Sequence, residues 1–74
     1  MMSELDSAVL TRDLPEHGLR AGDVGTVVLV HRDDAGYEVE FMTLHGETIA
    51  VVTLDPDAVR PIGEREIAHA RVVA

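Results

Sequence analysis

The sequence predicts an all-β fold, and three observations carry that prediction. Val dominates the apolar residues while Tyr37 and Phe41 are the only aromatics, a β-branched composition that suits pleated sheet better than Leu-rich helical packing. Tyr37 to Phe41 alternates apolar and acidic residues, the period of a strand buried on one side. Turn formers then punctuate the chain between short apolar runs.

Taken in order, residues 1–6 read as a disordered start. They have neither the basic head nor the apolar core of a signal peptide. Ala8 to Arg12 is consistent with a first strand. Leu14 to Gly25 holds Pro15, Gly18, Gly22 and Gly25, a density that predicts a long structured loop, with the glycines serving its backbone conformation. Thr26 to His31 is the strongest strand signal. Arg32 to Gly36 is a charged turn, with Gly36 at the position expected to take a positive φ. Tyr37 to Phe41 is the next strand, residues 42–47 a second hairpin turn around Gly46, and Thr48 to Leu54 a further strand. Asp55 to Ala58 reads as a single 3₁₀ turn, with Asp55 able to cap it and Pro56 suited to its first position. Val59 to Ile62 closes the series as a short strand, which Pro61 places at an edge.

A strand, a long loop, three hairpin-linked strands, one tight turn and a last short strand is the order of elements in a small five-stranded SH3-like barrel. A closed barrel also leaves little unpaired strand edge. The barrel is expected over residues 7–62. Residues 63–74 form a C-terminal extension that fits either of two periods. Ile67, Ala70 and Val73 share a helical face, while Ala68, Ala70, Val72 and Ala74 share a strand face. Glu64 and Glu66 at its start suit a helix N-terminus, so the extension is read as a short helix in preference to an extra strand.

The segments Asp13-Leu14-Pro15-Glu16-His17-Gly18-Leu19 and Gly22-Asp23-Val24-Gly25-Thr26-Val27-Val28, with Tyr37 to Phe41 and Val52-Thr53-Leu54, resemble a family of short bacterial proteins known only as a domain of unknown function. The resemblance spans roughly residues 5–62, and Gly-x-x-Gly-Thr-Val-Val is also an SH3-like or KOW-like pattern. It implies the barrel fold and no activity. It further implies proteins that stand alone, at times encoded beside toxin-like or mobile genes, which favours a partner-binding role.

Composition narrows the function. The chain has 74 residues, one domain with a thin core. It lacks Cys, which excludes disulfides and thiolate zinc sites and fits a cytoplasmic location. Its net charge of −8, from 14 acidic and 6 basic residues, disfavours nucleic acid, whose binding depends on cationic side chains neutralising phosphates. No apolar run reaches the length needed to cross a bilayer.

Catalytic constellations are not evident. His17, His31, His45 and His69 lack the spacing of a metal pair, although the hairpins are expected to bring His31 and His45 to neighbouring ends and Asp13, Glu16 and His17 offer a weak carboxylate–histidine grouping. Ser3 and Ser7 lie near the start, outside any nucleophile motif. The glycines do not have phosphate-loop spacing, and the chain has no Lys. No cofactor and no metal are expected.

Two surfaces remain. The long loop, through Glu16, His17, Arg20 and Asp23 with Tyr37 nearby, is the candidate interaction site, since loops on rigid scaffolds carry most recognition. Val28, Val30, Ile49 and Val51 are the candidate self-association face, because strict alternation puts them opposite the core. The expected function is a non-catalytic protein-interaction module that self-associates, most simply as a two-fold dimer. The alternatives are an acidic regulatory or antitoxin-like partner of a basic protein, and a small-ligand-binding protein or enzyme.

Overall fold

The computed structural model describes residues 2–73, with Asp34 described by its backbone alone. Five strands are present: β1 (Ser7–Leu10), β2 (Val24–Val30), β3 (Tyr37–Met42), β4 (Thr48–Leu54) and β5 (Val59–Pro61). They form one antiparallel sheet in the order β4-β3-β2-β1-β5. The fold is all-β and barrel-like, with three 3₁₀ turns as its only helical elements among the described residues.

The sheet is not closed by hydrogen bonds. β4 and β5 are its two edges, joined by the 3₁₀ turn Pro56–Ala58, which carries the chain across the end of the core instead of pairing the strands. That turn lies where the sequence places it, but Asp55 makes no side-chain cap. The Ala58 N–H donates to the Asp55 carbonyl at 3.0 Å instead.

Alternation along β3 puts Tyr37, Val39 and Phe41 into the core, none more than 4% exposed. Opposite them lie Leu54, Val52 and Ala50 of β4, and Val30 and Val27 of β2. Ala8, Leu10 and Val59 complete the sheet's contribution. Leu14 and Leu19 close the loop between β1 and β2 over the same core, bridging each other across the 3₁₀ turn Pro15–His17.

Two register shifts alter the faces. β2 carries a bulge between Val27 and Leu29, and the β3–β4 pairing shifts between Phe41 and Met42. An extra residue in one strand reverses the side-chain parity beyond it. Val27 and Val30 therefore both point to the core, leaving Val28 and Leu29 outside, and Ile49 packs against the core beside Val52. Of the four residues expected on an outer apolar face, Val30 and Ile49 are corrected to core-packed positions. Val28 and Val51 remain exposed, now joined by Leu29 and Met42.

The ends of the chain also differ from expectation. Residues 2–6 are not a disordered start. Met2 is buried in the core, the Leu5 N–H donates to the Val27 carbonyl, and the Val27 N–H donates to the Asp6 carbonyl. Residues 63–73 form neither a helix nor a strand. A helix this short is marginal in isolation, and two ion pairs fix the segment in another path. Glu66 accepts from the Gly63 N–H and from both terminal nitrogens of Arg60, and Arg71 reaches Asp23.

The same two ion pairs flank Val9. Its neighbours Ala8 and Leu10 point to the core, so Val9 faces the other side, between Val24 and Arg60. It is nevertheless only 4% exposed. The two ion pairs of the tail stand at the neighbours of Val9, Arg60–Glu66 at its β5 partner and Arg71–Asp23 next to its β2 partner Val24.

Candidate interaction site

The loop between β1 and β2 is built from its glycines and carboxylates. Gly18 (φ 68°) ends the 3₁₀ turn in the left-handed region, and Gly22 (φ 96°) makes the last bend before β2. The Gly22 N–H donates to the Leu10 carbonyl and the Leu10 N–H donates to the Asp23 carbonyl, which fixes Asp23 against the end of β1. Asp13 accepts from the Ala21 N–H at 2.9 Å, and Asp23 from the Arg20 N–H at 2.8 Å.

Asp23 is the centre of the site. Arg71 Nε donates to its Oδ1 at 2.9 Å, and Arg71 Nη2 donates both to its Oδ2 and, at 3.0 Å, to the Gly18 carbonyl. This is the two-toothed pairing for which a guanidinium and a carboxylate are matched in shape. The Arg71 hydrogen bond is the main cause holding the Asp23 carboxyl below its ordinary range, against the opposing effect of partial burial. Beside the pair lies a shallow open depression of about 310 Å³, lined by Asp13, Pro15, Leu19, Arg20 and Val72 among others.

Four of the five residues expected at this site lie on the loop, and the structure brings Arg20 and Asp23 together. Glu16 and His17 are exposed on the 3₁₀ turn. Tyr37 is a correction: at 4% exposure it belongs to the core and offers no ring to a groove. The sequence did not point to Arg71. Its only signal was a lone cation in an apolar, alanine-rich stretch, and its partner is 48 positions away.

Among the described residues no group of three or more His, Asp or Glu side chains could hold a metal ion. His31 and His45 lie at opposite ends of β3, because successive hairpins turn at opposite ends of their shared strand. His31 instead sits 2.7 Å from Glu38, which also accepts from the Thr53 hydroxyl at 2.6 Å. That hydroxyl is the largest cause of the lowered Glu38 pKa, with His31 second.

A family model described as a domain of unknown function (DUF4926) matches residues 4–61. The chain belongs to the DUF4926 family. No curated protein matches the chain. No solved structure matches it either. The DUF4926 segment contains all five strands and the whole loop, so Gly18 and Asp23 are part of the domain, whereas Glu66 and Arg71 lie beyond the matched residues. Within the DUF4926 domain the second notable surface is the outer side of β2, β3 and β4. Val28, Leu29, Met42 and Val51 are there 39%, 45%, 45% and 55% exposed. Glu38 and Glu40 sit among them, each accepting a hydrogen bond from a β4 threonine.

Proposed function

We propose that this DUF4926 protein is a non-catalytic interaction module that self-associates through the free edge of β4. The observation that carries the reading is the contrast between the two sheet edges. β5 is three residues long and contains Pro61, and the tail leaves it from that end. β4 is seven residues long, has no charge and no Pro, and among the described residues no strand pairs with its outer side. Exposed edges are ordinarily blunted by charge, Pro or brevity, because their free N–H and C=O groups template pairing with another chain.

A second copy is the occupant that fits this edge. The chain carries a net charge of −8, so copies repel wherever carboxylates meet. Stacking the outer faces would bring Glu38 and Glu40 of two copies together, whereas the side chains of β4 bring none. A two-fold antiparallel pairing centred on Val51 sets each copy's Ile49 opposite the other's Thr53, with Val28, Leu29 and Met42 flanking the joined sheet.

Light scattering tests it. At tens of micromolar the full chain is expected at twice its 8.0 kDa mass. Val51→Lys, at a position 55% exposed and so harmless to the fold, is expected to be a monomer. A monomeric full chain overturns the reading, as does a Val51→Lys chain that remains a dimer.

A further inference from the structure

We propose that the loop site at Asp23 and Gly18 recognises an arginine within an extended segment of a partner protein, and that the chain's own tail, through Arg71, occupies this site as an internal competitor. The proposal goes beyond self-association and uses a different surface.

The receptor half is complete without the tail. Asp23 is oriented by the Arg20 N–H and by the pairing of its own carbonyl with Leu10, and Gly18 presents its carbonyl from a left-handed turn. Both belong to the loop that Leu14 and Leu19 anchor in the core. Two carboxylate oxygens and one carbonyl oxygen converge on a single guanidinium. That arrangement selects Arg over Lys, because an ammonium cannot present the planar fork that reaches both carboxylate oxygens at once.

The tail behaves as a ligand rather than as part of the sheet. From Ile62 to Val73 it makes no backbone–backbone hydrogen bond to the domain among the described residues. It is held by side chains at two points, Glu66 and Arg71, while Ile67 and Val72 are 94% and 93% exposed. The site lies inside the family match and its occupant outside it. Release of Arg71 frees the Asp23 carboxylate and the Gly18 carbonyl beside the depression lined by Asp13, Pro15, Leu19 and Arg20, an acidic anchor next to apolar side chains. On a chain of net charge −8, an arginine-bearing segment is the partner that the surrounding field favours.

The experiment is an NMR titration of ¹⁵N-labelled full-length chain carrying Arg71→Ala, with a free peptide of the sequence His-Ala-Arg-Val-Val-Ala as probe. Saturable shifts are expected at the amides of Gly18, Arg20 and Asp23. The unsubstituted chain is expected to bind about tenfold more weakly or less, since a tethered Arg71 competes at millimolar effective concentration. The same peptide with Lys or Ala in place of Arg is expected to lose about tenfold or more, the discrimination expected when a bidentate partner is removed. Adding Asp23→Asn to Arg71→Ala is expected to abolish the shifts while the rest of the spectrum stays that of the folded domain. The proposal is overturned if the Arg71→Ala chain shows no saturable shift at the loop, if the Ala peptide binds equally well, or if binding survives Asp23→Asn.

Discussion

Gly25→Ala tests the packing of the sheet most directly. Gly25 lies in β2 opposite Ala8, pointing to the core, and its backbone does not require glycine. Its hydrogen is there for lack of space. A Cβ at this position would stand 2.6 Å from Val39 Cγ1, 2.8 Å from the Glu40 carbonyl oxygen and 2.9 Å from Phe41 Cε1. Comfortable carbon–carbon contact begins at about 3.5 Å, so β3 would have to withdraw by nearly 1 Å. Val39 can rotate only within a close-packed core, and the Glu40 carbonyl belongs to backbone paired with Thr26. Overpacking of this kind costs about 1–3 kcal/mol, and the backbone contact puts Gly25→Ala at the upper end. With a total stability of about 4–11 kcal/mol at typical values per residue, the melting temperature is expected to fall by about 12–24 °C. Thermal denaturation followed by circular dichroism measures it, with Gly18→Ala as the control. Gly18 has open space around its Cβ direction but a φ of 68°, so that change is expected to cost only about 1–2 kcal/mol. A Gly25→Ala chain that melts within a few degrees of the parent would refute the packing argument.

Two further outcomes follow from the same structure. Phe41→Ala, removing a ring 2% exposed at the centre of the core, is expected to cost about 3–5 kcal/mol by urea denaturation, against an undetectable change for an exposed position such as Leu44→Ala. The tail should detach in acid. Glu66, held by Arg60, has its pKa lowered to about 2, and Asp23 is lowered by Arg71. A depressed carboxylate stabilises the bound state above its free pKa and loses that contribution as pH falls through the bound value. The ¹⁵N relaxation of residues 64–73 is therefore expected to be unchanged from pH 7 to about 5 and to report growing mobility as pH falls from about 4.5 towards 2. Detachment only on raising the pH would contradict the ion pairs.

Much of the fold was legible because it is written locally. Alternation from Tyr37 to Phe41 fixed the buried face of β3, since side-chain direction in a strand depends only on parity. Asp55-Pro56-Asp57-Ala58 announced its 3₁₀ turn through the fixed φ of proline. The glycine-rich loop between β1 and β2 was equally visible, as were Glu16, His17, Arg20 and Asp23 as its polar residues.

What the tertiary structure alone decided depends on groups that meet only after folding. The bulge at Val28 exists relative to β3, and it moved Val30 inward and Leu29 outward against strict alternation. Gly25 resembles the loop glycines in sequence, yet it is set by the approach of Val39, Glu40 and Phe41 rather than by its own backbone. Met2 is held because β2 offers Leu5 and Asp6 hydrogen bonds, and no pattern within residues 2–6 encodes that. The tail carries both helical and strand periods, and neither prevailed. Its path is set by two guanidinium–carboxylate pairs, Arg60 with Glu66 and Arg71 with Asp23, and the second joins positions 48 residues apart whose proximity only the folded sheet creates.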